Sequence, residues 1–249
     1  MDDELIRRAE DLDRQCARTG SLCATGFLTP AERYALSRWA QRGAQSRLLF
    51  HGGAQGAERQ AAFFLPDWME DDAFDPAEHL RAIEAVARFG APGHRDWLGA
   101  VLALGIGREW LGDILTDGER AWLICLPSVE QHLLMNLDKV GRWGVRCRAV
   151  PLSELPEIAR ETETLRFTVS SPRLDAVCAG AFHVSRSAAA EAIAQGLVSR
   201  NYETALKPDV LLKAGDVLSL RGKGKCVLRS VGDTQTRKGR IYVEVGIYK

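Results

Sequence analysis

A chain of 249 residues with 33 Lys or Arg, 33 Asp or Glu and 46% hydrophobic residues has enough apolar material for one large core or several small ones. No run of about 18 apolar residues occurs, and the N-terminal MDDELIRRAEDLDRQ reads as a charged helix rather than a signal peptide or membrane span. A cytoplasmic, monomeric protein with no membrane contact is expected.

The neutral balance conceals an asymmetry. Residues 166 to 249 hold 14 Lys or Arg against 7 Asp or Glu, a net of +7, which leaves 19 basic and 26 acidic residues before them, a net of −7. A basic C-terminal region on an acidic body suggests that one end meets a polyanion. The six cysteines, Cys16, Cys23, Cys125, Cys147, Cys178 and Cys226, show no Cys-x-x-Cys pair and no His at zinc-ligand spacing. They read as reduced core thiols, and neither a metal nor a cofactor is expected.

In chain order, the pattern opens with an amphipathic helix over residues 4–18. FLTPAER follows, with Thr29 as N-cap, Pro30 at the first helical position and Glu32 completing a capping box. Strand-like RLLFHGG and extended GAERQAAFFLPDW end at the acidic break MEDDAFDP. A helix and strand module over residues 1–76 is expected.

Residues 77–151 read as βαββαβ. HLRAIEAVARF is a strand, HRDWLGAVLALG a helix with Trp97, Leu98, Val101 and Leu102 on one face, and LGDILTD and the apolar, central RAWLICLP are strands. Ser128 and Gln131 suggest a capping box for VEQHLLMNLDKV, and WGVRCRAV is the last strand. That order is the ferredoxin-like plait, shared by many RNA-recognition modules and by many domains that never touch RNA. Its first and third strands offer only Phe89 and Trp122 as aromatics, so a scaffold or protein-contact surface is expected rather than a base-stacking platform. PLSELPEIARETETLRFT, with two prolines and a charged run, reads as a linker over residues 152–168. The whole is an α+β, multi-domain chain.

In the expected C-terminal domain, 169–249, Leu174, Val177, Cys178, Ala181 and Phe182 form a helical apolar stripe over 173–182. Ser185 caps a second helix that stops at Gly196, and short strands follow around the turns KAGD and GKGK. Arg173-Leu174-Asp175 spells the catalytic tripeptide of a pseudouridine synthase class. Only 74 residues follow Asp175, which leaves no room for a catalytic domain, so Asp175 is expected to be a first-turn scaffold residue.

RLDAV, VSRSAAAEAIAQGLVSRN and LKAGDVLSLRGKGK together resemble the RNA-binding domain named after ribosomal protein S-four. In that family the starts of the two helices and the loop after the third strand face RNA. The resemblance makes Arg173, Ser185, Arg186, Ser187, Asn201, Lys207, Arg221, Lys223 and Lys225 candidate contacts, to which TRKGR adds Arg237, Lys238 and Arg240. Helix starts and guanidinium forks both suit phosphate oxygens. One departure is Asn201-Tyr202, where the family usually shows Asn-Gly.

FLTPAER, HGGAQGAER, HRDWLGAVLALGIGREWLGDIL and TQTRKGR, in that order, resemble the bacterial YlmH family. The resemblance implies binding to ribosomal RNA or tRNA on large ribosomal subunits in ribosome-associated quality control, with a cell-division link in some members. Other glycine-rich or charged stretches read as decoys. GGAQG lacks the Lys-Ser or Lys-Thr of a P-loop, and GIGREWLG has the wrong spacing for a dinucleotide fingerprint. His94-Arg95-Asp96 lacks the kinase residues that should follow; Asp96 is expected to cap its helix, and the three remain a candidate RNA or protein contact. A non-enzymatic RNA-binding protein is the leading expectation, ahead of a pseudouridine synthase-type enzyme and a division-linked protein adaptor.

Overall fold

Leu5, Ile6, Ala9, Leu12 and Cys16 recur at helical spacing and give α1 (Asp2–Thr19) one apolar face. With Leu36 of α2 (Pro30–Ala40), that face covers an antiparallel sheet of β1 (Cys23–Leu28), β2 (Arg47–His51) and β3 (Gln60–Leu65), in the order β1-β3-β2. α2 starts as its sequence requires. The Thr29 hydroxyl accepts from Glu32 N at 3.3 Å, the Glu32 carboxylate accepts from Thr29 N at 2.7 Å, and Pro30 stands in the first turn. The computed structural model describes residues 2–157, 162–235 and 239–248. It divides into two units, Met1–Ala159 and Arg160–Lys249.

The expected plait follows in the first unit, with α3 (Pro76–His79), β4 (Arg81–Ala87), α4 (His94–Ala103), β5 (Leu111–Asp117), β6 (Arg120–Cys125), α5 (Pro127–Asn136), β7 (Lys139–Val140) and β8 (Trp143–Val150). The antiparallel order β5-β6-β4-β8 is that of a ferredoxin-like sheet, and β7 adds a short edge. Ile83, Trp97, Val101, Leu123 and Leu133 fill the core under its helices.

Several sequence expectations change here. Ser128 is not an N-cap, because Pro127 already occupies the first helical turn and Leu126 is the cap residue without a side-chain bond. Leu102 is exposed: five residues beyond Trp97, it has rotated off the buried face that Trp97 and Val101 share. Phe89 lies beyond the end of β4, in the loop to α4.

The small module and the plait share a core rather than standing apart. β3 is apolar on both faces because Ala62 and Phe64 meet α1 and α2, while Ala61, Phe63 and Leu65 pack with Phe27, Leu80 and Ile124. Buried Arg59 ties the two together. Its guanidinium donates to the carbonyls of Phe27 at 2.8 Å, Arg108 at 2.7 Å and Leu111 at 3.1 Å, and Asp113 accepts from Arg59 N at 3.1 Å. The glycines of GGAQG and GIGREWLG serve this closeness: a Cβ on Gly53 would lie 2.8 Å from Ile124, and one on Gly112 would lie 2.7 Å from Phe27.

The second unit contains β9 (Thr162–Val169), α6 (Leu174–Ala181), α7 (Arg186–Ala194), β10 (Val198–Arg200), β11 (Glu203–Thr204), β12 (Val217–Leu220), β13 (Gly224–Gln235) and β14 (Ile241–Tyr248). Its sheet runs β11-β10-β12-β13-β14-β9, antiparallel throughout. The residues expected as linker up to 168 therefore include a strand. TETLRFTV alternates, and Leu165, Phe167 and Val169 pack against the domain core, so this stretch completes the sheet. The stripe from Leu174 to Phe182 is buried as expected, and Gly180 lets α6 lie on β9, since a Cβ there would fall 2.3 Å from the Phe167 ring. All six thiols are free, and burial pushes those of Cys125, Cys178 and Cys226 up to about 12, so they stay protonated core groups.

Arg59→Ala would strip three buried carbonyls of a charged donor. A loss of about 3 kcal/mol or more is expected from the first unit in urea unfolding, with an unchanged transition in the second.

Candidate nucleic-acid interface

Arg173 is the N-cap residue of α6, and its side chain makes no cap bond. The helix start is met instead by the loop from Lys207 to Leu212, which runs antiparallel to it. Leu174 N donates to Val210 O at 2.9 Å, Asp175 N to Pro208 O at 3.0 Å and Leu212 N to Pro172 O at 2.8 Å. This pairing satisfies donors that a helix start leaves open, and it brings exposed Lys207 beside α6.

Asp175 is buried and joins the two helix starts. One carboxylate oxygen accepts from Arg173 Nε at 3.3 Å and Ala176 N at 2.8 Å; the other accepts from Arg186 Nε, on the first residue of α7, at 3.0 Å. Burial pushes the Asp175 carboxyl up, but the bonds from Arg186 and Arg173 outweigh it and hold the group below the ordinary carboxylate range. The arginine side chains remain 36% and 53% exposed, and both use only Nε on Asp175. Their Nη hydrogens are left for a further acceptor, in a fork geometry suited to phosphate. Ser185 caps α7 by accepting from Ala188 N at 3.1 Å, and its hydroxyl lies 2.9 Å from that of Ser187. Beside α6, a groove of about 380 Å³ against β9 has Arg186 and Arg240 in its lining.

The other expected contacts lie apart from this cluster. Arg221 N bonds Leu197 O, beyond the far end of α7, on the order of 15 Å along that helix from Arg186. Exposed Arg221 and Lys223 therefore form a separate basic tip on the β12–β13 hairpin. Lys225 Nζ sits 5.4 Å from the Tyr202 ring centre and 4.9 Å from that of Tyr248. Asn201 and Tyr202 both have positive φ, 50° and 70°, so Tyr202 occupies a left-handed position that glycine would take without strain. Arg237 and Lys238 lie outside the described residues.

Asn201, expected as a contact, is tied into the unit's own turn. Its amide nitrogen donates to Asp216 at 2.7 Å and its oxygen accepts from Val217 N at 2.8 Å, so both polar ends are engaged. Asp216, 2% exposed, also accepts from Arg200 at 2.8 and 3.1 Å and from Lys213 N at 2.9 Å. Sequence reasoning missed this network; the Asp closing the KAGD turn was its one local signal.

Comparisons with known proteins match both units. Residues 172–218 match the model described as "S4 domain", and residues 73–154 match "Putative RNA-binding domain in YlmH". The chain is 32% identical over 221 residues to "Ribosome-associated protein quality control protein P2" of Bacillus subtilis (strain 168), covering 88% of this chain and 86% of that one. It belongs to the YlmH family. A solved structure, "Cell division protein ylmH from Streptococcus pneumoniae", superposes with a TM-score of 0.52 at 21% identity, covering 61% of this chain and 93% of that one, and so shares the fold.

In this YlmH-family RNA-binding protein the plait's open sheet face is closed to stacking. Trp122 is buried with Ala82 and Val150, and Arg120 lies 5.3 Å from its ring centre. Glu84 accepts from Arg148 at 2.5 Å. At α4, His94 and Arg95 are exposed, and Asp96 accepts from Gly93 N at 2.9 Å, the capping role its position suggested. No cluster of metal-ligating residues occurs among the described residues, and no helix there is long and apolar enough to cross a membrane.

Asp216→Ala would leave Arg200 and Asn201 without their shared acceptor, and a loss of about 3–5 kcal/mol is expected in chemical unfolding of the second unit. Asp175 and Asp216 both titrate below their ordinary range, in Asp216 because bonds from Lys213 N, Asn201 and Arg200 outweigh burial. Their contribution is complete above the unfolded carboxylate pKa and lost as pH falls through the lowered folded values. Thermal melts of the second unit should therefore fall steeply below about pH 4, and less steeply in Asp175→Asn.

Proposed function

We propose that this chain is a non-enzymatic, cytoplasmic protein that binds ribosomal RNA or tRNA on the large ribosomal subunit and works in ribosome-associated quality control. The observation that carries the reading is the pair of arginines held at two helix starts by one buried carboxylate. Two guanidinium forks, set where two helix dipoles present their positive ends, favour phosphate oxygens over a neutral ligand. The name of the Bacillus subtilis relative supplies the ribosome and the quality-control process. Asp175 argues against a pseudouridine synthase, because both its oxygens already accept hydrogen bonds and it is buried. Arg173, Arg186, Lys207, Arg221 and Lys223 are the proposed phosphate contacts; Ser185 and Ser187 position α7, and Arg240 borders the groove.

Binding to large subunits should weaken steeply with salt as counterions are released. Five phosphate contacts correspond to a slope of about −4 in log affinity against log salt. Lys207→Glu with Arg221→Glu and Lys223→Glu, exposed positions that the Asp175 network does not use, should abolish co-sedimentation with large subunits while the melting profile persists. Undiminished co-sedimentation, or a flat salt response, would overturn the reading.

A further inference from the structure

The loop between β4 and α4 carries a feature that the helix-start cluster does not use. Phe89 is 99% exposed and has φ 59°, a left-handed conformation that is a genuine outlier for a bulky residue. Folding alone favours a small polar residue or glycine here, since the ring buries nothing and its backbone is strained. The surrounding structure nevertheless holds the loop firmly. Arg88 N donates to Gly144 O at 2.9 Å, buried Trp97 donates through Nε1 to Pro92 O at 3.1 Å, and Gly93 N donates to Asp96. Gly90 passes under Trp143 so closely that a Cβ would fall 2.0 Å from its indole nitrogen, and Arg142 lies 5.1 Å from the Trp143 ring centre. A strained, fully exposed ring on an anchored loop is an arrangement in which the outlier itself points to function.

The charges around it choose the partner. Arg88, Arg95 and Arg142 are exposed, and none makes an ion pair among the described residues. Of the carboxylates on neighbouring segments, Asp96 is engaged with Gly93 N, and exposed Glu119 stands in the turn before β6, where its own backbone carbonyl accepts from Ala87 N at 2.8 Å. A bare aromatic ring on a loop bracketed in sequence by Arg88 and Arg95, with Arg142 over the Trp143 ring that packs on Gly90, fits an unpaired nucleotide, with phosphates on guanidinium groups and a base on the ring. We infer that Phe89, on the loop that Arg88 and Arg95 bracket, is a stacking site for an unpaired base of RNA, so that the plait reads single-stranded RNA at this loop and not on its sheet. The inference rests on the RNA-binding reading above and adds a second, separate contact to it.

Ultraviolet crosslinking of the full chain to a uridine-containing single-stranded oligoribonucleotide, followed by trypsin and mass spectrometry, tests it directly. Cleavage after Arg88 and Arg95 releases Phe89 in the peptide FGAPGHR. That peptide is expected to carry a nucleotide adduct. In anisotropy titrations Phe89→Ala should weaken binding of the same oligonucleotide about 5- to 100-fold, the range for loss of one stacked base. Phe89→Gly should weaken it equally while raising the melting temperature, a combination that a structural role would not produce, and Phe89→Trp should keep the affinity. Adducts confined to peptides of the second unit, or unchanged affinity in Phe89→Ala, would overturn this site and leave the helix-start reading standing. Loss of ribosome association in Phe89→Ala with no adduct on FGAPGHR would assign the loop to a protein partner and also overturn it. The absence of any adduct and any RNA binding by the full chain would overturn both readings together.

Discussion

A carboxylate withdrawn from water must be met by several donors at once, and the basic unit is organised around two such groups. Asp175 takes bonds from Arg173, Arg186 and Ala176 N, which fixes the starts of α6 and α7 against each other. Asp216 takes bonds from Arg200, Asn201 and Lys213 N, which fixes the turn after β10 against the start of β12. In each case the desolvation cost is offset only when every donor is present, so the network orders loops that have little apolar surface of their own. The first unit applies the same logic with the signs reversed, where the Arg59 guanidinium is met by three carbonyls from both of its subregions.

This constraint has a functional side. An arginine free on a surface samples many rotamers and loses that freedom on meeting a phosphate. Arg173 and Arg186, each held through Nε, have already lost part of it, while the outer hydrogens of their forks remain available. An acid at the centre of a polyanion-binding surface is therefore consistent with binding, because it fixes direction at the cost of some net charge. Arg221 and Lys223, on a hairpin tip with no such clasp, contribute field more than geometry.

The plait illustrates how a shared topology leaves the site undecided. Its sheet face is occupied by the Trp122 cluster and by ion pairs about Glu84, so the surface that similar folds present to bases is closed here. The aromatic that is exposed belongs to a loop, and it was invisible as such in the sequence because HLRAIEAVARF runs to Phe89 without a break signal before Gly90. Only the end of pairing at Ala87 places Phe89 beyond the strand.

Much of the fold was legible because it rests on local rules. The Thr29-Pro30-Glu32 cap, the Leu174 to Phe182 stripe, the Ser185 cap and the βαββαβ order follow from spacing and from backbone groups that need partners nearby. The same rules failed where a nearer residue competed, as Pro127 did with Ser128, or where prolines masked an alternating strand, as in residues 162–169. For the interface, the sequence by itself determined which side chains carry charge and that the helix starts hold two arginines and a caps-forming serine. What only the tertiary structure decided is which of those groups meet: that Asp175 joins Arg173 to a residue 13 positions further on, that Asn201 is engaged inside, and that Arg221 stands at the other end of α7. Those outcomes depend on distance through space, which hydrogen bonds and burial set between segments far apart in the chain, and no local pattern encodes it.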